Sequence, residues 1–301
     1  MKGNSRKAPE ITEPGTPGPT RRAASANPWA ETLRRLFERK AATAGLIIFI
    51  LICLACVMAP LLSKWDYSAI DPEHRLEAPS AGHILGTDNL GRDTFTRILY
   101  GGRSTLKIAL LSTVLAAATG GVIGLAAGYF GKRTDFFLSH ILDMLASIPV
   151  FLLIIIAEAA LGWGRGNFMF AMAIAAIPQF ARLVRASVMT VAECEYIEAS
   201  RALGVSHTGI ILRRILHNIA PPLIVRFTSG VAEALMLCTI MGYLGVGINP
   251  PAPEWGSLAY MGRNFIRLNP MLIVYPCAAI AVCVISLSLF GDGLRDALEP
   301  A

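Results

Sequence analysis

The chain has 301 residues, of which 54% are hydrophobic and 16% charged, with 27 Lys and Arg against 21 Asp and Glu for a formal net charge of +6. That balance is too apolar for a soluble chain of this length and points to the membrane class. The cations are dispersed and form no single basic patch, so nothing argues for a nucleic-acid partner.

Residues 1 to 26 are rich in Pro, Gly, Ser, Thr and Arg and have almost no large apolar side chains, as expected of a disordered cytoplasmic tail. The tail lacks the short apolar core of a secretory signal. Residues 27 to 63 read as an interfacial helix followed by the first transmembrane helix. Asn27 and Pro28 make a helix start, and Trp29, Leu33, Leu36 and Phe37 share one face with Arg34, Arg35 and Glu38 elsewhere. Residues 41 to 63, 108 to 131 and 268 to 291 contain no charged side chain, and each run is long enough to span a bilayer core. Three weaker spans, 136 to 160, 167 to 189 and 219 to 247, are interrupted by Asp143, Glu158, Arg182, Arg185, Arg226 and Glu233. Polar residues in spans face protein or water rather than lipid, so these three belong to the interior of a six-helix, all-α bundle.

Charge orients the bundle. Lys2, Arg6, Lys7, Arg21, Arg22, Arg34, Arg35, Arg39 and Lys40 precede the first span, and the loop after it carries Asp66, Asp71, Glu73, Glu77 and Asp88. The positive flank stays in the cytoplasm, which makes 64 to 104 a periplasmic loop and leaves both termini cytoplasmic, with 292 to 301 the C-terminal end. Between them, 105 to 291 forms the core, including a cytoplasmic segment at 193 to 217. Gly120, Gly124 and Gly128 form a small-residue ridge for close packing against a helix of this chain or of a partner. Prolines 149 and 178 break later spans, and Pro221 and Pro222 open the fifth. Glu233 lies about midway along its span, where an unpaired carboxylate is expensive in lipid. It is the residue expected to face a translocation path, with Asp143 a second, and a pairing of Glu233 with a partner chain stays open. Glu158 and Arg226 lie nearer the interfaces, where long side chains can snorkel. Cysteines fall mostly inside spans, with neither disulfide nor metal expected.

The polar island from 195 to 217 is the most informative stretch. A short helix carrying Glu198, Ala199 and Ser200 stops at Gly204, which takes a left-handed cap without steric cost. Ser206 caps a second helix carrying Ile210, Ile211, Ile215 and Leu216. Small Ala199 and Ser200 leave the outer surface of the first helix open to another protein. This arrangement resembles the EAA motif of ABC importer permeases, with Ser200 in place of the second Ala and His217 where that family often has Pro. The string from Gly86 to Asp93, Gly-Thr-Asp-Asn-Leu-Gly-Arg-Asp, resembles the GTDxxGRD segment of the dipeptide, oligopeptide and nickel permeases. Pro250-Pro251-Ala252-Pro253-Glu254-Trp255-Gly256, the C-terminal Gly-Asp-Gly-Leu-Arg-Asp-Ala-Leu-Glu-Pro, and Asp143 followed by Pro149 resemble the same family.

The resemblance covers residues 28 to 300 and implies the C-type membrane subunit of a peptide or nickel ABC importer, with a type I permease fold in the inner (plasma) membrane. It implies a second permease subunit as heterodimer partner, two ABC ATPase subunits docked at Glu198, Ala199, Ser200 and Gly204, and an extracytoplasmic substrate-binding protein. The chain shows no G-x-x-x-x-G-K-[ST] phosphate loop, so ATP and Mg belong to the ATPases and no cofactor or catalytic residue is expected here. An ion-coupled secondary transporter is the alternative from another class, although the internal repeat such a machine normally carries is not visible. Import of nickel chelates or another small solute is the alternative within the same machinery.

Overall fold

The computed structural model describes residues 28–162, 164–248 and 250–298. The expected tail at 1 to 26 and the last three residues lie outside them. Among the described residues the chain is helical, with one isolated bridge between Thr87 and Asp93. An amphipathic α1 (Pro28–Glu38) leads into α2 (Lys40–Val57) and a short α3 (Ala59–Leu62). After a long loop come α4 (Thr94–Phe130), α5 (Lys132–Ser147), α6 (Val150–Leu161) and α7 (Arg165–Ala192). The short helices α8 (Glu195–Ala202) and α9 (His207–Ile210) precede α10 (Leu216–Tyr243). Finally α11 (Trp255–Gly262) precedes α12 (Met271–Leu298).

Helices α2, α4, α7, α12 and the continuous stretch from His207 to Tyr243 are each long and apolar enough to cross a membrane. Helices α5 and α6 pass the same test only as a pair, bent by 100°. Their ends settle what the bend is. Helix α5 starts where α4 finishes, whereas Arg165, just after α6, shares a recess with Tyr100 and Arg103 in the first turns of α4. The pair therefore runs from one end of α4 to the other and is one broken span, the sixth. Pro149 sits at this break; Pro178, Pro221 and Pro222 instead lie inside continuous helices. Within a bundle, neighbouring groups can compensate for the hydrogen bond a proline removes.

The Gly ridge packs within this chain. A Cβ on Gly120, Gly124 or Gly128 would lie 2.8, 2.3 or 2.8 Å from the carbonyl oxygens of Ile177, Ala181 and Arg185 on α7. Glycine is what lets α4 and α7 form the most extensive helix pair of the molecule. The central core includes Ile108, Ile154, Phe168, Leu235, Met241 and Trp255. At one end, Leu36, Ala42 and Ala297 cluster, and Arg39 is ion-paired with Asp296, so α12 continues past the expected limit of its span to meet the α1–α2 elbow.

The opposite end is closed by the loop before α4. Asp93 caps α4, accepting from Thr96 N at 2.7 Å, and lies 2.9 Å from His83 Nδ1. Asp88 accepts from Leu90 N, Arg92 N and Arg92 Nε at 2.8, 3.0 and 2.7 Å. Gly91 sits at φ +76°, where a Cβ would fall 1.7 Å from Asp71 O. The carboxylates of the Gly86 to Asp93 string thus hold a folded loop together. Glu254 ties the second motif into the bundle: it caps α11 through Gly256 N and Ser257 N, both at 2.8 Å, and accepts from Thr105 Oγ1 of α4 at 3.2 Å. Trp255 Nε1 donates to Ile98 O at 2.9 Å.

Candidate functional site

Helix α8 is seated by two side chains on one face, Ile197 and Ser200, spaced i, i+3. Ile197 enters a small satellite core of Val184, Val188, Ile210, Ile215 and Ile219, which joins α7, α8, α9 and α10 at one end of the bundle. The helix stops as its residues dictate. Gly204 takes φ +75°, Gly204 N donates to Arg201 O and Val205 N to Ser200 O, a Schellman cap in hydrogen-bond pattern. No atom lies within 4 Å of a Cβ built on Gly204, so its requirement is for backbone conformation alone. Ser206 Oγ then accepts from Gly209 N at 3.3 Å and starts α9.

Between α9 and α10 the helix widens into a π turn over Ile211–Ile215. Five residues of α-helix rotate the chain by about 500°, which would put Ile215 about 140° away from Ile210. The wider turn brings both isoleucines back to the satellite core, where each is fully buried. Polar contacts brace the same junction. Tyr129 Oη at the end of α4 lies 2.8 Å from His207 Nδ1, and Arg201 stacks over the Tyr129 ring at 5.4 Å. Asn218 Nδ2 donates to Tyr196 Oη at 3.0 Å. These side chains tie α8 to α4, α7 and α10.

One feature of the expected docking face is corrected. Ser200 is 8% exposed and its hydroxyl donates to Tyr196 O at 2.7 Å, so it faces the bundle rather than a partner. Its small size matters for seating the helix against its own chain. Glu198 and Ala199 are exposed, and Leu203, at 84% exposure, projects beside them with Val205. The available surface is thus Glu198, Ala199, Leu203 and Val205 next to the Gly204 turn. Helical spacing could have excluded Ser200, because it lies three residues from apolar Ile197.

Charges in the spans also differ from their sequence reading. Glu233 is not unpaired: Arg226 Nη1 and Nη2 donate to its two oxygens at 2.8 and 2.9 Å, and Arg226 also contacts Gln179. The i, i+7 spacing on one helix brings them together. Arg226 is consequently a partner within the span and does not snorkel away. Asp143 accepts from Arg182 Nη2 at 2.8 Å, and Asp135 pairs with Arg185, so two ion pairs join α5 to α7. Glu158, expected near an interface, is fully buried, and neither carboxyl oxygen has a hydrogen-bond partner among the described residues.

Residues 120–301 match the model of the binding-protein-dependent transport system inner membrane component, and residues 27–79 match the N-terminal TM domain of oligopeptide transport permease C. The chain is 39% identical over 300 residues to the dipeptide transport system permease protein DppC of Alkalihalophilus pseudofirmus, covering 100% of this chain and 99% of that one. It is 36% identical over 274 residues to the glutathione transport system permease protein GsiD of Pectobacterium atrosepticum, covering 91% of each. Among solved structures, the inward-facing MetNI methionine ABC transporter aligns with a TM-score of 0.56 at 20% identity, over 67% of this chain and 96% of that chain, a likeness of fold.

Proposed function

The chain belongs to the family of binding-protein-dependent transport system inner membrane components, and from that membership we propose that it is the C-type membrane subunit of an ATP-driven importer of short peptides. The similarity over the full length to a dipeptide permease carries the choice of solute. In this reading a second permease chain completes the path, two ATPases bind at the cytoplasmic end, and a substrate-binding protein delivers solute at the other. The ATPases supply nucleotide and Mg chemistry; this subunit supplies the path and the lever. Basic residues near α1 and acidic ones in the loop before α4 support a cytoplasmic location for α1, α8 and the end of α12.

The lever is α8. A docking element must be rigid, small-featured and fixed to what it moves, and the buried Ile197, the capped turn at Gly204 and the Tyr129–His207 contact support that role. Glu198, Ala199 and Gly204 remain the coupling residues, with Ser200 in a seating role. Glu233, ion-paired yet half exposed along α10, and Asp143 are assigned to the wall of the path.

The experiment compares Glu198→Lys, Ala199→Trp, Gly204→Asn and Gly204→Val in the reconstituted importer. Asn tolerates the left-handed region; a β-branched residue there costs about 1–2 kcal/mol and redirects α9. Glu198→Lys, Ala199→Trp and Gly204→Val should insert normally but lose substrate-stimulated ATP hydrolysis or release the ATPase on purification, and Gly204→Asn should retain both. Full stimulation and retention in all four would remove α8 from the mechanism. Glu233→Gln in the same uptake assay should transport more slowly with the complex intact, and a wild-type rate would take Glu233 out of the path wall.

A further inference from the structure

At the end of the bundle opposite α8, Tyr100, Arg103, Ser104 and Lys107 occupy one face of α4 at i, i+3, i+4 and i+7 spacing. With Tyr67 and Arg165 they line a recess of about 260 Å³. The Tyr67 and Tyr100 rings lie 5.0 Å apart. Lys107 stands 22 residues before Tyr129 on the same helix, about 33 Å at 1.5 Å per residue, so the thickness of a bilayer core separates this recess from the coupling segment.

Three observations about this recess point the same way. Arg103, Lys107 and Arg165 have no ion-pair partner among the described residues, and no carboxylate lines the recess. Three cations on one recess with no acid among its lining residues make it a concentrated positive site. The N-terminus of the 28-residue helix α7 also ends here. Its cap is Gly164 without a side-chain hydrogen bond, and its first turn holds no acidic residue, so the positive end of its dipole is uncompensated. Finally, the recess is concave and small. It suits the end of a small molecule better than the broad face of a folded protein.

We propose that Arg103, Lys107 and Arg165 form a carboxylate-binding subsite at the mouth of the permease, where the tyrosines flank the group that carries the carboxylate. Guanidinium groups pair with carboxylates in a two-pronged geometry, and a compact ammonium adds charge without demanding orientation. In the peptide importer proposed above, the group is the C-terminal carboxylate, common to peptides of any side-chain sequence. That identification rests on the transport reading; the preference for an anionic small solute rests on the recess alone. The subsite would draw the carboxylate end toward α4 as the solute leaves its binding protein.

A thiol placed in the recess reads this directly. Ser104→Cys, in the permease–ATPase complex in nanodiscs without binding protein, is labelled with an anionic sulfonatoethyl or a cationic trimethylammonioethyl methanethiosulfonate, and modification of the peptide containing residue 104 is followed by mass. With each rate taken, here and below, relative to that reagent's rate toward a small free thiol, the anionic reagent should be favoured by roughly tenfold, as for a cleft lined by one sign of charge. Adding Arg103→Gln and Lys107→Gln should bring the ratio toward one. Ala-Ala at millimolar concentration should slow labelling several-fold, and its C-terminal amide should not. Equal rates for the two reagents, equal protection by the amide, no labelling at all, or protection by binding protein alone would each overturn the proposal. If Ala-Ala protects but vesicles holding the complete importer and binding protein do not accumulate it, the subsite stands and the peptide reading falls. Accumulation without protection gives the reverse.

Discussion

Gly121 and Gly124 lie one turn apart on α4, and the structure assigns opposite consequences to the same added methyl group. At Gly124 a Cβ would come 2.3 Å from Ala181 O and 2.9 Å from Val184 Cβ. A backbone carbonyl cannot rotate aside, so α4 and α7 must separate by about 1 Å to restore ordinary contact, and a gap of that size forfeits a quarter to a half of each affected dispersion well. Overpacking of this kind costs about 1–3 kcal/mol. Alanine's helix propensity returns about 1 kcal/mol, leaving Gly124→Ala up to about 2 kcal/mol less stable than the parent. At Gly121 no atom lies within 4 Å of the built Cβ, and only the propensity remains, so Gly121→Ala should gain up to about 1 kcal/mol. The propensity gain is common to both and cancels, so the two variants should differ by the overpacking cost, about 1–3 kcal/mol. Heating the detergent-purified chain and following the surviving monodisperse fraction by size exclusion ranks them. Equal stability of the two would refute intramolecular packing of the Gly ridge and return it to the alternative of a partner helix.

Two further outcomes test the buried acids. Burial pushes the Glu254 carboxyl up to about 7 from an ordinary 4.5, against the three hydrogen bonds that favour its charged form. With the folded value above the unfolded one, the folded chain holds the extra proton between those limits, so stability falls as pH rises from about 4.5 to about 7. The interval is about 2.5 units at 1.36 kcal/mol each, about 3 kcal/mol in all. Denaturation of wild type and Glu254→Gln across that range should show the fall in wild type only, and parallel curves would refute the assignment. For Glu158, fully buried without a hydrogen-bond partner among the described residues, replacement by Leu removes an unsatisfied group and should stabilise the detergent-purified chain by about 1–3 kcal/mol. A lower melting temperature for Glu158→Leu would show that the carboxyl is held by a favourable contact.

The features legible in the sequence are those determined by nearby residues. Charge-free runs gave α2, α4 and α12 because hydropathy needs only a window, and the turn after α8 was readable because a left-handed cap selects glycine and an N-cap selects serine at their own positions. Which way a side chain faces is decided by what covers it. Ser200 reads as part of an outer surface unless its i, i+3 spacing from apolar Ile197 is weighed, and it is the satellite core that shows Ile197 entering it and fixing the rotation of α8. Pairing was hidden for the same reason. Asp135 and Arg185 are 50 residues apart and Asp143 and Arg182 are 39 apart, so each counts against hydropathy as a lone charge although the fold joins them.

The recess at Arg103 makes that distinction sharper. Along the sequence, Arg103 and Lys107 are ordinary charges flanking a span, where cations commonly anchor a helix to the interface, and Arg165 lies 58 residues beyond Lys107. The passage of α5 and α6 from one end of α4 to the other, despite the 100° bend between them, returns Arg165 to the first turns of α4. Had that pair been a re-entrant loop, α7 would begin beside Tyr129 and its cation would join the other end of the bundle. The same crossing therefore makes the sixth span and gathers three unmatched cations at the mouth, so a topology experiment placing residue 165 on the α8 side would overturn both conclusions together.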